Sequence, residues 1–337
     1  PLVEISEVAL TFQTGQQSTI FPSAPRGIVY PGDQGIDRST YEPDYNNFGA
    51  RLGFAFDVFG NGKLAVRGGY GNFFDTPVSE LTLQFLTSAP YAIQPATFYS
   101  PLTNPWQGSL VNPIPQPFPF VEPQAGANFN FRNIAPIPMT IMSPTFATPY
   151  SHNFNVDVQW NLTRDWLVTA GYVGNLGVKL LNRQQINYGI VDATATSGNI
   201  NPRRIFNRGN PQSAEFGGAV FGGITNQTTD AQSNYHALQM SVVKRFSQGF
   251  TLTGAYTWSK AIDNASGLRV SSNPFSARAD RGPSEQDLRH RAVFSYVYEF
   301  PWMKAQQGFL GRVIGGWGVS GITTFQTGTP INVFESQ

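Results

Sequence analysis

The chain has 337 residues, of which 40% are hydrophobic, 14% aromatic and only 13% charged, and its formal net charge is +1. A charge so close to zero gives no support for a nucleic-acid partner, and the absence of cysteine excludes disulfides and thiolate metal sites. The charged share is about half that of a typical soluble domain, while Gly, Phe and Pro are abundant. This composition indicates an all-β protein that is not an ordinary soluble one.

The first clear pair of strands lies around Asn61-Gly62, a dipeptide that favours tight hairpin turns because both residues tolerate positive φ. A weaker candidate strand, 2–12, precedes this pair. Segment 63–74 returns from the turn with a two-residue period. Segment 47–58 places its apolar side chains on one face: Phe48, Ala50, Leu52, Phe54, Phe56 and Val58.

Three further strand pairs follow with the same period. They cover 153–163 with 166–176, 235–247 with 250–261, and 290–300 with 316–327. Connections inside the pairs are short, whereas the connections between pairs are long: 75–152, 177–234 and 261–289. Short turns at one end and long loops at the other are typical of bacterial outer-membrane barrels, with the turns periplasmic and the loops extracellular.

The two faces of these strands differ in composition. One face is apolar and carries no charge between the strand ends, as lipid contact requires, because Arg or Lys at mid-depth would cost roughly 2–4 kcal/mol. The other face has the Asn, Gln, Ser, Thr and Gly of a wet lumen. Its polar candidates are Arg51, Asp57, Arg67, Asn155, Asp157, Gln159, Gln239, Arg245, Arg291 and Glu299.

Aromatic residues cluster toward the strand ends, where amphipathic rings prefer the headgroup region of a membrane. This predicted girdle consists of Trp160, Trp166, Tyr256, Trp258, Tyr298, Phe300 and Trp317. The alternative interpretation is that these rings cap the core of a β-sandwich. The three histidines, His152, His236 and His290, fall in the outward phase near strand starts, so we expect boundary residues and not a metal site.

Five blocks of the sequence resemble the barrel of Oar-like TonB-dependent receptors of the bacterial outer membrane. They begin with NNFGARLGFAFDVFGNGKLAVRGGYGNFFD and end with GGWGVSGITTFQTGTP, and they span most of 41–332. The resemblance implies a 22-stranded barrel, of which this chain supplies about eight or nine strands as an antiparallel meander. It also implies a plug that couples to TonB. We expect residues 1–337 to be part of that barrel domain, without plug, TonB box or closing strand, and the alternative is a smaller barrel that closes on its own.

Other chemistry is weakly supported by the sequence. Ser151-His152 and segment 278–291 contain hydrolase residue types, but a salt network at a loop base is the better interpretation because no nucleophile elbow accompanies them. The acidic run 32–44 lacks the ligand spacing of a calcium loop. No cofactor motif is present. Loop aromatics are candidates for ligand contact, although they could equally pack the loop on itself: Tyr91, Tyr99 and Trp106.

The leading functional hypothesis is therefore a non-enzymatic receptor for energy-coupled uptake of a scarce, bulky solute such as a metal chelate, oligosaccharide or peptide. Its expected partners are outer-membrane lipid, the TonB complex through the plug, and the solute. An adhesive or structural barrel is the alternative, and an outer-membrane hydrolase is a third possibility.

Overall fold

The computed structural model describes residues 11–36, 44–75, 89–91, 103, 124–267, 270–273 and 275–331. The described residues form β-strands and one short α-helix, α1 (Gly308–Ile314). None of the described helices is long and apolar enough to cross a membrane. The strands are β1 (Thr11–Phe12), β2 (Ile28–Val29), β3 (Arg51–Asp57), β4 (Leu64–Phe74), β5 (Ile137–Met142), β6 (Tyr150–Asn161), β7 (Trp166–Gln185), β8 (Phe221–Ser247), β9 (Phe250–Asp263), β10 (Gly282–Pro283), β11 (His290–Glu299) and β12 (Gly318–Gln326).

Eight of these strands form one antiparallel meander. Their spatial order is β3-β4-β6-β7-β8-β9-β11-β12, so each strand of the meander pairs with the meander strands that precede and follow it in the chain. The predicted all-β fold and meander are confirmed. Within the described residues β3 and β12 each have one partner, and the sheet is open between them.

The turn between β3 and β4 is held by a carboxylate at its entrance. The side chain of Asp57 accepts hydrogen bonds from the backbone N–H groups of Phe59, Gly60 and Gly62, the last at 2.7 Å. Gly60 and Gly62 have φ of 65° and 72°, a region that glycine enters without strain. Asp57 thus fixes the tight turn that the Asn61-Gly62 dipeptide predicted.

Two strands extend well beyond the limits predicted from periodicity. β7 continues to Gln185 and β8 begins at Phe221, so strand occupies much of 177–234, which the sequence indicated as one long connection. Register shifts between Gly177 and Asn182 break the alternation there, which hid the extension from a search for period two. Between β11 and β12, the segment 301–315 contains α1.

The weak candidate strand 2–12 is not a member of the meander where it is described. Thr11 and Phe12 form β1, which pairs with β2 in a separate two-stranded sheet, and residues 2–10 lie outside the described part of the chain. The meander does gain β5, which runs parallel to the start of β8, and β10, which pairs with β9.

A buried apolar core lies beside the long-connection end of the sheet. We name the unit around it the loop lobe, and it comprises residues 11–36, 89–91, 124–146 and 186–224. Phe21, Tyr30, Ile137 and Phe221 are at most 1% exposed and belong to one cluster. Segments from several connections therefore fold together as one packed unit.

Buried polar side chains connect the segments of the loop lobe through hydrogen bonds. Asn207 accepts from the backbone N–H of Val220 (3.1 Å) and Phe221 (2.9 Å), and its amide donates to the Phe221 carbonyl (2.7 Å). Asp33 is 3% exposed and accepts from the N–H and hydroxyl of Thr19 and from the N–H of Tyr30. Burial alone would raise the pKa of Asp33, but these hydrogen bonds hold the pKa below its ordinary value.

Replacing Asp33 by Asn is expected to loosen the loop lobe by about 1–3 kcal/mol, because an amide cannot accept from all these donors at once. Amide hydrogen exchange of the full-length gene product should show faster exchange at Thr19 and Tyr30. Because the folded-state pKa of Asp33 is depressed, its carboxylate stabilises the folded loop lobe at pH values above the unfolded-state pKa. This stabilisation is lost as the pH falls through the folded-state pKa.

The protection of these two amides, expressed relative to the intrinsic exchange rate at each pH, should therefore fall in the wild type on acidification below about pH 4 and change little in the Asn variant. Asp75→Asn is the matched control, since Asp75 is exposed. Unchanged protection in Asp33→Asn would contradict the assignment.

Candidate functional site: the polar face of the sheet

A continuous row of polar side chains crosses the sheet at one register position. Arg67 lies opposite Asp157, and the same row continues through Gly171, Gln239 and Thr257 to Arg291 on β11. We name Arg67, Asp157 and Arg291, with the neutral amide of Gln239 between Asp157 and Arg291, the charged row. The structure thus brings together four lumen candidates that lie far apart in the sequence.

Glycine makes room for the acidic member of this row. Asn155 donates to the Asp157 carboxylate at 2.6 Å, and the carboxylate leans over Gly171 on the neighbouring strand. A Cβ atom at Gly171 would collide with the Asp157 side chain. The carboxylate is therefore oriented by an amide on one side and accommodated by a missing side chain on the other.

Amide side chains continue the polar face toward the long-connection end. Asn153 and Asn175 are directly opposite on β6 and β7 and are hydrogen-bonded to each other through their side chains. Tyr235 follows in the same row on β8. Neutral donors and acceptors of this kind suit contact with water or with a hydroxylated or amide-bearing solute.

Three cavities lie along this face at different heights. One of them, of 530 Å³, lies at the long-connection end, and its walls include Asn175, Ser233, Tyr235, Asp263 and Glu285. A second, of 500 Å³, is lined by Arg51, Gly69, Gly71, Asn155, Asp157 and Gln239. A third, of 320 Å³, is lined by Asp57, Arg67, Gln159 and Asn161. The polar face therefore offers recesses from one end of the sheet to the other.

The remaining lumen candidates lie at the margins of this face. The Arg51 guanidinium lies 4.6 Å from the centroid of the Phe73 ring. Asp57 caps its turn, as described above. Arg245 bonds to the Arg164 carbonyl beside the β6–β7 turn, and Glu299 pairs with Lys304 at 3.6 Å beyond β11. Asp57, Arg245 and Glu299 thus surround the short-turn end.

The opposite face of the sheet exposes large apolar side chains. Leu52 is 74% exposed, Phe54 55% and Phe56 61%. Lys244 lies on this face at the short-turn end, and its ammonium group is satisfied by neighbouring backbone carbonyls. Its Nζ donates to the carbonyls of Ser247 (3.1 Å) and Phe250 (3.0 Å), and it lies 5.9 Å from the Trp166 ring centroid.

The predicted girdle residues separate into two groups along the strands. Tyr256 and Trp258 lie toward the long-connection end of β9. The other five lie at the short-turn end: Trp160, Trp166, Tyr298, Phe300 and Trp317. Trp160, Trp258 and Trp317 are 51%, 51% and 64% exposed, so these rings cover no core within the described residues.

The three histidines do not converge. Each lies on a different strand, and its Nδ1 is hydrogen-bonded to a tyrosine on the neighbouring strand: His152 to Tyr70, His236 to Tyr172 and His290 to Tyr256. No cluster of His, Asp and Glu suited to a metal ion occurs among the described residues. The tyrosine partners were missed by sequence reasoning, because the pairing requires the register between strands.

The residues considered for a hydrolase or a calcium site make separate local contacts. Ser151 and His152 are adjacent in β6 and point to opposite faces, and the Ser151 hydroxyl accepts from Asn153. Asp287 and Arg289 form an ion pair at 3.3 Å, whereas Asp280 accepts from Ser271 at 2.6 Å. In the acidic run, Asp33 is committed to the loop lobe, as shown above.

Only one of the loop ligand candidates lies in the described residues. Tyr91 packs edge-on against Phe21 and Tyr30, with ring centroids 5.7 and 6.3 Å apart, so it belongs to the border of the loop-lobe core. Tyr99 and Trp106 lie outside the described residues. A different cleft, of 350 Å³, is lined by Phe12, Arg26, Phe206 and Arg208. Its arginines were not singled out in the sequence.

Comparison with known proteins identifies a family. Residues 5–337 match the family model described as outer membrane beta barrel domain. No curated protein matches the chain.

Several solved structures share part of the arrangement. The outer membrane transporter YddB from Escherichia coli has 10% identity and a TM-score of 0.41, with 81% of this chain and 32% of that chain covered. The siderophore receptor PirA from Acinetobacter baumannii has 9% identity and a TM-score of 0.37, with 82% of this chain and 34% of that chain covered. The FrpB iron transporter from Neisseria meningitidis has 8% identity and a TM-score of 0.37, with 76% of this chain and 25% of that chain covered. The chain spans about a third or less of the length of each.

The assignment of the two faces can be tested with neighbouring residues of β8. Since the chain has no cysteine, an environment-sensitive fluorophore can be attached to Gln239→Cys or Met240→Cys alone. We expect blue-shifted emission at position 240, on the face predicted to contact lipid, and water-like emission at 239. Brominated lipids should quench only the label at 240. Equal quenching at both positions would contradict the two-faced sheet.

Proposed function

The chain belongs to the outer membrane beta barrel domain family and is located in the bacterial outer membrane, and from this premise we propose that it forms part of the wall of a TonB-dependent receptor. Such a receptor binds a scarce, bulky solute at its outer end and imports it with energy delivered through TonB. Its partners are outer-membrane lipid, the solute, and the TonB complex acting through a plug domain.

The observation that carries this proposal is the continuity of the polar face. The charged row, the amide pair Asn153–Asn175 and the 530 Å³ cavity line one side of the sheet from the short turns to the long connections. An adhesive or purely structural barrel needs no such recesses along its wall. A receptor that passes a hydrated solute needs donors and acceptors along the whole path.

The long-connection end has the features expected of a binding surface. Long loops of outer-membrane barrels face the exterior, and binding residues concentrate in loops. There the loop lobe presents the Arg26–Arg208 cleft beside the Phe12 and Phe206 rings, and the 530 Å³ cavity carries Asp263 and Glu285. These walls combine apolar surface with both charge signs, which suits a large solute of mixed polarity such as a metal chelate, oligosaccharide or peptide.

The mechanism needs binding and gating and no covalent chemistry. Ser151 and His152 are on opposite faces of β6, and the His152 ring is hydrogen-bonded to Tyr70. Neither side chain is placed to activate the other. We therefore infer a receptor and not a hydrolase.

The test is uptake by cells that carry the full-length gene product as their sole high-affinity importer. Three radiolabelled probes are supplied: a ferric hydroxamate chelate, a maltodextrin and a mixed peptide digest. Uptake of one probe should be saturable, should be lost on adding a protonophore or deleting tonB, and should fall at least tenfold on deletion of 76–149. Uptake that survives without TonB would overturn energy coupling.

A control deletion at the opposite end removes part of 302–307, which should leave uptake close to wild type because it alters only a short connection. Intact uptake but lost cell adhesion in the 76–149 deletion would instead favour the adhesive barrel. Peptide or ester hydrolysis that disappears in His152→Ala would favour the enzyme.

A further inference from the structure

Three tyrosine–histidine pairs with the same geometry recur across the sheet. The Tyr hydroxyl lies 2.7, 2.7 and 2.9 Å from His Nδ1 in Tyr70–His152, Tyr172–His236 and Tyr256–His290. Their rings are stacked at centroid distances of 5.9, 6.0 and 6.2 Å, with interplanar angles of 23°, 18° and 19°. Each pair bridges the two strands that flank one long connection.

The register of the three pairs is also the same. In each, His lies opposite the residue two positions beyond its Tyr: Asn72 after Tyr70, Gly174 after Tyr172, and Trp258 after Tyr256. All six side chains are in the apolar phase of the sheet, so each pair adds a polar group to a face that otherwise meets lipid. A diagonal contact repeated three times indicates a common role.

The pairs do not lie on one row of opposing residues. His236 lies opposite Gly174, whereas His152 lies opposite Leu176, so the pair moves two residues along the sheet from one hairpin to the next. The row of His290 passes through Leu238, two residues beyond His236. Each step points toward the short turns.

This drift equals the stagger of a closed barrel. A shift of two residues at about 3.3 Å, over two strand spacings of about 4.8 Å, inclines the line of pairs by about 35° to the rows. Strands of outer-membrane barrels tilt by about 35–45° from the barrel axis. The line of pairs is therefore close to parallel with the membrane plane once the sheet curves into a barrel.

The distance from the pairs to the short turns is also similar, and the longer separation of His236 from Ser247, eleven positions, includes the irregular register after Lys244. Nine residues separate His152 from Asn161 at the end of β6, and nine separate His290 from Glu299 at the end of β11. Nine residues on a tilted strand correspond to about 23 Å along the membrane normal, close to the apolar band of about 25 Å. The pairs stand where that band ends on the long-connection side.

We propose that these three pairs form a Tyr–His belt that binds phosphate groups of outer-leaflet lipid headgroups and so fixes the height of the barrel in the membrane. When the Tyr hydroxyl donates to Nδ1, a neutral imidazole carries its proton on Nε2, and an imidazolium carries protons on both nitrogens. Nε2–H can therefore donate to a phosphate oxygen in either form. Lys260, directly opposite His236, adds a positive charge at the same level.

The belt does not depend on which solute the receptor imports or on TonB. It adds to the aromatic girdle a set of hydrogen-bonding sites whose ring planes are held by the stacked, hydrogen-bonded tyrosines. Within the described residues the three Nε2 atoms make no hydrogen bond to protein, which leaves them for a headgroup.

The height of the belt is tested with spin labels on single-cysteine variants of the full-length gene product in bilayers. Labels at His152→Cys, His236→Cys and His290→Cys should lie within about 3 Å of one depth. Val156→Cys is the matched control, because Val156 and His290 share one row through Tyr172, Leu238 and Trp258. Its label should lie about 10 Å deeper than the label at 290. Equal depths at 156 and 290 would overturn the belt.

Phosphate binding is tested by thermal unfolding in two bilayers, phosphatidylglycerol and a galactolipid that has no phosphate. The wild type should unfold several degrees higher in phosphatidylglycerol, and this difference should vanish in His152→Phe/His236→Phe/His290→Phe. Met240→Phe, in the middle of the apolar face, should keep the difference. A difference retained in the triple variant would overturn phosphate binding. If the triple variant does not insert, His290→Phe alone must reduce the difference, and no reduction would likewise overturn it.

Discussion

The need to satisfy every backbone hydrogen bond in a medium without water governs this structure. In hydrocarbon an unpaired N–H or C=O costs several kcal/mol, so a chain that crosses with strands must pair each strand on both sides. Each inner strand of the eight-strand meander is paired on both sides. The edge strands β3 and β12 are paired on one side only within the described residues, so a partner is required on the other. The short turns follow from the same demand, since a turn such as that capped by Asp57 returns the chain with few unpaired groups.

Once the backbone is paired, the composition of each face of a strand depends on the surroundings that the face contacts. In the middle of the strands the outward face carries no charge, and Lys244 near the turns is surrounded by carbonyl acceptors and aromatic rings, whereas Lys260 lies beside the Tyr–His pairs at the other end. The inward face keeps charges and amides in register, with Gly171 leaving room for Asp157. The Tyr–His pairs stand where the outward face changes from hydrocarbon to headgroups, and they explain why histidine recurs at the same height on three strands.

The long connections solve a different problem. A loop that only covered the barrel would expose its apolar residues to water, yet here residues from distant connections share one core around Phe21, Tyr30 and Phe221. Buried side chains such as Asn207 and Asp33 bond to the backbone where no regular ladder exists. The long-connection end is thus an ordered surface in the described residues, as the proposed recognition of a solute requires.

The sequence by itself determined the strands, the hairpins and the two faces, because alternation along one strand depends only on the pleat of that strand. It therefore predicted the meander, which is confirmed, and the apolar phase of the three histidines, whereas the lumen and girdle roles of the other side chains stay predictions. Bulges hid the extensions of β7 and β8, since they break the alternation on which the prediction rested. Only the tertiary structure decided which residues meet across strands: Arg67 with Asp157, Tyr172 with His236, and the core of the loop lobe. Such contacts depend on register between strands and on packing between distant loops, and neither quantity is encoded in the period of a single segment.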